Sequence, residues 1–256
     1  NVSPDHLERH GTIKKYVSAK FNLIKNQSTN DIAILNTKNF YINKELKSKK
    51  FLPKIIKIEK DLKDNFLKKI NNLYFKSDGN KENLKFVLEV AKVLKLKKSS
   101  LIETLKKFKG LKYRQQIIFQ SKKITIINDS KATSFSSTVS LLKSLSNVYW
   151  IVGGQAKKGD ELLLSKKNCK NFKAYVLSKD KNFFINKLKG LMKYESFFDL
   201  KSLIKKIFLE IKIDKKTSHK TILFSPSAAS FDNFINFEQR GKYFNKLIKK
   251  HINDKL

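Results

Sequence analysis

Apolar positions along this chain change rhythm near residue 110. In residues 12–27, Ile13, Tyr16, Val17 and Phe21 recur at helical spacing behind Thr12, a hydroxyl suited to an N-cap, so the pattern predicts a helix. The run DIAILN at 31–36 reads as a buried strand. From 40 to 76, short apolar pieces alternate with lysine-rich ones, which predicts strands and turns on a sheet's periphery. Residues 80–96 are strongly periodic and predict a second helix; 99–108 predict a third, closed by Gly110 as its C′ residue. Beyond Gly110 the two rhythms alternate regularly. Strands are predicted at 116–119, 123–128, 147–152, 173–177 and 220–224, and helices at 134–145, 181–189, 199–212 and 240–250. Strands separated by such helices imply an α/β fold with a mostly parallel sheet covered on both faces, and a domain boundary near 110–112.

Composition narrows this picture. With 256 residues, 40% of them hydrophobic and 20 of them Phe, the chain can bury a sizeable core. No apolar run is long enough to span a bilayer, and nothing resembles a signal peptide. Cys169 is the only cysteine, which rules out an intrachain disulfide and suits a reducing cytoplasm. The expectation is a cytoplasmic monomer without membrane insertion. The chain opens on Asn1 and its only methionine is Met192, so it reads as a piece whose N-terminal part is missing.

The formal charge of +34 invites a nucleic-acid reading. Yet of 56 basic residues only Arg9, Arg114 and Arg240 are arginine, and lysine is spread over nearly every segment beside Asn, Ile and Phe. That pattern fits a drift towards AT-rich codons better than a recognition patch, which needs arginine forks for phosphates and base edges. Where lysine is the default cation, each surviving arginine points to a need for a planar guanidinium.

Polar clusters follow three of the predicted strands: INDSKAT after 123–128, GGQAKKGD after 147–152 and SPSAASFDNF after 220–224. Three strand ends meeting in one crevice is the expected geometry of an α/β ligand site. In the first cluster Ser134 or a neighbour is suited to cap the following helix, which leaves open whether the cluster is a binding site or an elaborate N-cap.

The stretches NVSPDHLERHGTIKKYVSAK, NDSKATS, GGQAKKGD and SPSAASFDNFINFEQRG, in order from residue 1 to about 247, resemble the Mur ligases, and within them the branch that adds D-glutamate. NDSKAT and the SPSAAS region discriminate, because branches adding other residues carry an Asp-Tyr-x-His type sequence at the first of these places. The resemblance implies that residues 1–110 are the back part of a central P-loop-type ATPase domain and 111–256 a Rossmann-like C-terminal domain, with the glycine-rich phosphate loop upstream of residue 1. It implies an ATP-dependent ligase that joins D-glutamate to UDP-N-acetylmuramoyl-L-alanine in peptidoglycan precursor synthesis. A carboxylate is a poor electrophile, so it is first phosphorylated to an acyl phosphate, which the amine then attacks. The alternatives are another Mur ligase or a folylpolyglutamate-synthetase-like amide ligase, against which those two stretches argue, and a basic nucleic-acid-binding protein, against which the dispersed lysine argues. Without the phosphate loop this chain is expected to be inactive alone.

The same resemblance assigns roles. His6 and Lys20, the latter as a carbamate, hold Mg²⁺; a free lysine amine is neutral only about once in several thousand at pH 7, so burial and nearby metal charge are expected to favour the modified form. Asn80 and Asn83 contact adenine, although Gly79 stands where the family usually has histidine, and an asparagine here is equally suited to capping the helix. Arg114 meets the ATP phosphates, Asp129 the ribose, and Lys131 adds charge near the phosphates. Thr133 and Lys157 hold the α-carboxylate of D-glutamate. Ser230, with Phe231 and Phe237, forms the pocket for its side-chain carboxylate, and is expected to open a helix whose N–H groups favour an anion. Arg240 is expected to pair with Glu238 or at the domain interface, outside the catalytic group.

One outcome follows from charge alone. DNA binding is expected to be weak, sequence-blind and steeply lost with salt, as a titration of DNA at increasing ionic strength would show. Sequence-selective binding surviving at physiological salt would overturn this.

Overall fold

The computed structural model describes residues 2, 7–157, 159–169, 171–214 and 218–255, with the backbone alone at 7, 8 and 253–255. The chain divides into two compact units, one of residues 1–71 and 81–106, the other of 72–80 and 107–256.

In the first unit, α1 (Leu7–His10) precedes α2 (Ile13–Lys25), whose Thr12 cap accepts from the Lys15 N–H as the sequence predicts. Tyr16, Val17, Phe21 and Ile24 of α2 pack on β1 (Ile32–Asn36) and α3 (Phe40–Ser48) through Ala33 and Ile42. β1 pairs in parallel with β2 (Lys54–Ile58). The 40–76 region corrects its sequence reading: it holds one strand only, flanked by α3 and by α4 (Asp64–Ile70). Asn39 is the reason for α3, because its Oδ1 accepts from the Tyr41 and Ile42 N–H groups while its Nδ2 donates to the Val2 carbonyl at 2.6 Å. α5 (Asp78–Val93) and α6 (Lys98–Lys107) follow. Gly110 is not the C′ residue of α6, which ends three residues earlier; its φ of +90° and its approach to the Tyr74 ring and the Gln115 carbonyl explain the glycine instead.

The second unit is a doubly covered sheet. Its strands are β3 (Gln116–Gln120), β4 (Ile124–Asn128), β5 (Val148–Val152), β6 (Lys173–Leu177), β7 (Lys193–Phe197) and β8 (Lys220–Phe224), in spatial order β3-β4-β8-β5-β6-β7. All pairs are parallel except β3–β4. Alternation along each strand splits the core in two. Ile127, Trp150, Val152, Ala174, Val176 and Leu223 face α7 (Phe135–Lys143) and α8 (Lys181–Leu188). Ile124, Ile126, Ile151, Tyr175, Ile222 and Phe224 face α9 (Leu200–Ile213) and α10 (Phe237–Lys255). β7, absent from the sequence reading, is an edge strand with a half-exposed face, so KYESF lacks a clean apolar alternation. Glu210 ties α9 to the sheet, accepting from Lys173 Nζ at 2.6 Å and Tyr175 Oη at 2.7 Å. Burial pushes its carboxyl up, but these partners win and hold it below the usual range.

β8 lies between β4 and β5, so the chain crosses over it through α7. The carboxyl ends of these three neighbouring strands carry the three polar clusters. The turn after β5 passes close to the end of β6 and needs glycine: at Gly153, φ +132°, a Cβ would run into the Leu177 backbone. Gly153→Ala is therefore expected to lower stability by about 3 kcal/mol, read as a fall in urea midpoint at unchanged slope; a loss within experimental error would contradict the close approach.

Candidate functional site

Asn128 ends β4, Asp129 and Ser130 follow it, and all three are buried. Asn128 and Ser130 bind the fold. Asn128 Nδ2 donates to the Gly241 carbonyl (2.9 Å) and to Asn245 Oδ1 (2.7 Å), and Ser130 Oγ donates to the Phe237 carbonyl (2.8 Å). Both anchor the cluster to α10. Gly241 is required there, since a Cβ would collide with the Tyr113 ring.

Asp129 also points inward. Its Oδ1 accepts from the Gln115 N–H at 3.0 Å and its Oδ2 from Ser225 Oγ at 2.8 Å. Behind Ser225, Thr138 Oγ1 lies 2.8 Å from Ser225 Oγ and 2.7 Å from Ser227 Oγ, forming a buried line of hydroxyls ending on the carboxylate. The indole N–H of Trp150, a fully buried residue, donates to the Ser225 carbonyl at 2.8 Å. Burial pushes the Asp129 carboxyl up to about 7, against the Ser225 and Gln115 hydrogen bonds and the Arg114 and Arg240 charges.

A second line reaches Asp129 from residues 72–80. Asn80, buried, donates through Nδ2 to the Tyr74 carbonyl (2.8 Å) and to Gln115 Oε1 (2.6 Å). Asn80, Arg114 and Asp129 are thus gathered around Gln115. Tyr113 and Gln115 have positive φ, +61° and +48°, so exposed Arg114 sits between two residues in the left-handed region, an arrangement held by its surroundings rather than by local preference.

The remaining assigned residues separate clearly. Lys131 is half-buried, its Nζ 4.0 Å from the centroid of the Phe237 ring. Thr133 is exposed, and Ser134 caps α7 in a reciprocal box with Ser137, as the sequence suggests. Lys157 is exposed on the loop after β5. That loop joins the one after β8, because Gln155 and Ala229 exchange backbone hydrogen bonds. Ser230 is buried but opens no helix: it starts a turn in which Asn233 and Phe234 donate to its carbonyl, and α10 begins only at Phe237. Phe231 is 70% exposed. Arg240 does not pair with Glu238; it is buried and donates to Ser130, Ala228 and Ala229.

In the first unit Lys20 is exposed, its Nζ 5.1 Å from the Tyr16 ring centroid, so the burial expected to favour a carbamate is not found. Asn83 is exposed on α5. His6 lies outside the described residues. Among the described residues no three His, Cys, Asp or Glu side chains come together as metal ligands, so these side chains alone do not fit a divalent cation.

Gln115, Ser225, Thr138 and Asp160 escaped the sequence reading. Asp160 Oδ2 accepts from the Phe135 N–H at 2.6 Å, filling the N-terminus of α7 with the protein's own carboxylate. Its place in GGQAKKGD, following a lysine at i−3, was the available signal.

Comparison with known proteins agrees on a family. Residues 1–107 match the Mur ligase middle domain. The chain is 32% identical to the UDP-N-acetylmuramoylalanine–D-glutamate ligase of Rickettsia bellii, over 96% of its own length and 59% of that protein's. It is 34% identical to the enzyme of the same name from Francisella tularensis, over 97% and 58%. It therefore spans less than two thirds of these curated relatives. Among solved structures the UDP-N-acetylmuramate-alanine ligase of Thermotoga maritima shares the fold, with a TM-score of 0.59 at 14% identity over 100% of this chain and 59% of that one.

Asp129 sets a pH dependence of known sign. Its folded pKa lies above the ordinary value of 3.8, so as pH rises the unfolded chain releases this proton first. Stability from this group therefore falls from about pH 4 to about pH 7. Asp129→Asn is expected to remove that fall, gaining on the wild type across the window by at most on the order of 4 kcal/mol. Urea unfolding of both proteins across that range would show it; a difference flat with pH would overturn the assignment.

Proposed function

The chain belongs to the Mur ligase family, and on that premise we propose that the protein is an ATP-dependent ligase that joins D-glutamate to UDP-N-acetylmuramoyl-L-alanine. The single observation carrying this reading is the convergence of three loops, bearing Thr133, Lys157 and Ser230, at the carboxyl ends of the neighbouring strands β4, β5 and β8. In the reaction the γ-phosphoryl of ATP passes to the alanine carboxylate, giving an acyl phosphate and ADP. The D-glutamate amine attacks the acyl carbon, phosphate leaves, and an amide remains. The chemistry demands crowded anions held in fixed positions.

Residues 1–110 serve as part of the ATPase domain and 111–256 as the domain that receives the amino acid. Exposed Arg114 serves the nucleotide and Lys131 adds positive charge, while buried Asn80 and Asp129 hold the neighbouring Gln115 in place. Asn83, exposed on α5, keeps the adenine role that the resemblance implies; Lys20, exposed and outside any cluster of metal ligands among the described residues, carries no metal role. Two carboxylates of the amino acid need cations. The N-terminus of α7 is already occupied by Asp160, and Ser230 offers no helix end. The resemblance gives the charge to Lys157, with Thr133 and Ser230 as hydroxyl partners and Phe237 as an apolar wall.

A site that matches two carboxylates rejects an amide. Phosphate release by the protein expressed from its complete coding sequence, with ATP and UDP-N-acetylmuramoyl-L-alanine, is expected to favour D-glutamate over D-glutamine by about 100-fold or more in kcat/KM. Lys157→Ala is expected to raise KM for D-glutamate about tenfold. Equal specificity constants for the two amino acids would disprove the reading.

A further inference from the structure

Arg240 is the most completely engaged side chain at the carboxyl edge. Its Nε donates to Ser130 Oγ (3.1 Å), its Nη2 to the Ser130 carbonyl (2.8 Å) and the Ala228 carbonyl (2.9 Å), and its Nη1 to the Ala229 carbonyl (3.2 Å). A guanidinium is planar and presents its donors in a fixed fork, so these acceptors cannot move apart independently. Ser130 lies one residue before Lys131, and Ala228–Ala229 immediately precede Ser230. Ala229 in turn exchanges backbone hydrogen bonds with Gln155, two residues before Lys157. A Cβ on Gly154 would approach Arg240 Nη1 to 3.0 Å, so the third loop rests on the same group.

We infer that Arg240 is a positioning residue: it fixes the mutual spacing of the three strand-end loops, and through them the placement of Thr133, Lys157 and Ser230 around the amino-acid substrate. The substrate half of this inference rests on the proposed function; the spacing half does not. A buried arginine is not required to hold a helix on a sheet, since apolar side chains do that at lower desolvation cost. Its acceptors are three backbone carbonyls and a serine hydroxyl, all on the two loops, and Asp129 and Asp232 supply opposite charge nearby. Lysine cannot substitute, because one ammonium carries three donors from a single point and cannot span acceptors on both loops.

The test compares Arg240→Met and Arg240→Lys with Ile207→Val, which loosens the core under α9 away from these loops. In the 256-residue chain, amide exchange at Ala132, Gln155 and Ala229 is expected to accelerate about tenfold or more in both Arg240 variants, with Tyr175 in β6 unchanged. Ile207→Val should not reproduce that local pattern. Unchanged exchange at the three amides, or uniform acceleration including β6, would overturn the spacing role. In the protein from the complete coding sequence, both Arg240 variants are expected to raise KM for D-glutamate about tenfold with kcat within about threefold of wild type. A lowered kcat at unchanged KM, the signature of fewer folded molecules, would overturn the substrate-positioning role. A wild type without D-glutamate-dependent turnover would instead refute the proposed function, leaving exchange to decide on Arg240.

Discussion

Polar groups taken out of water must be matched, and the carboxyl edge of the six-stranded sheet holds a cluster of them that has been taken out. Asn128, Asp129, Ser130, Ser225, Ser227 and Arg240 are all buried. A donor or acceptor left unmatched there costs about 1–3 kcal/mol, a large share of a domain's net stability. The matching is therefore a geometric constraint on the loops themselves. Asn128 and Ser130 bring the start of α10 down onto the end of β4, and the Ser225 hydroxyl meets the Asp129 carboxylate across the β4–β8 gap. The apolar layers make the sheet stable; the polar edge decides where its loops stand.

Much of this architecture is legible in residue order, because strands and helices write their own periods. β4, β5, β6 and β8 fall almost where the apolar runs place them, and Thr12 and Ser134 cap the helices they precede. The misses share a cause: the deciding interaction was a single polar atom or a distant partner. α3 depends on the Asn39 side chain, whereas its apolar spacing alone is too sparse. β7 sits at an edge, so only part of it is buried. Gly110 looks like a helix terminator but answers to Tyr74 and Gln115.

The site shows the same division more sharply. NDSKATS stands out as a cluster, yet nothing local says that Asn128 and Ser130 turn to α10, more than a hundred residues away in sequence, or that Asp129 turns to Ser225. Such pairings have no periodicity to read. The rarity of arginine was the better clue. In a chain whose cations are otherwise nearly all lysine, two of the three arginines occupy places where a planar fork or a constrained turn matters: Arg240 inside the edge and Arg114 between two left-handed residues. The few acids are placed with similar economy, as with Glu210, which joins Lys173 and Tyr175 to α9.

Trp150 is the chain's single tryptophan, sealed in the second unit with its indole N–H on the Ser225 carbonyl and the ring of Phe135 set edgewise against it. Excited at the red edge of protein absorption, the molecule therefore has one fluorophore, wired to one loop. Its emission belongs entirely to the sheet domain, and the first unit is optically silent at that wavelength. Because an indole's excited dipole responds to what its N–H touches, the colour of that light reports on the loop after β8 before it reports on global unfolding.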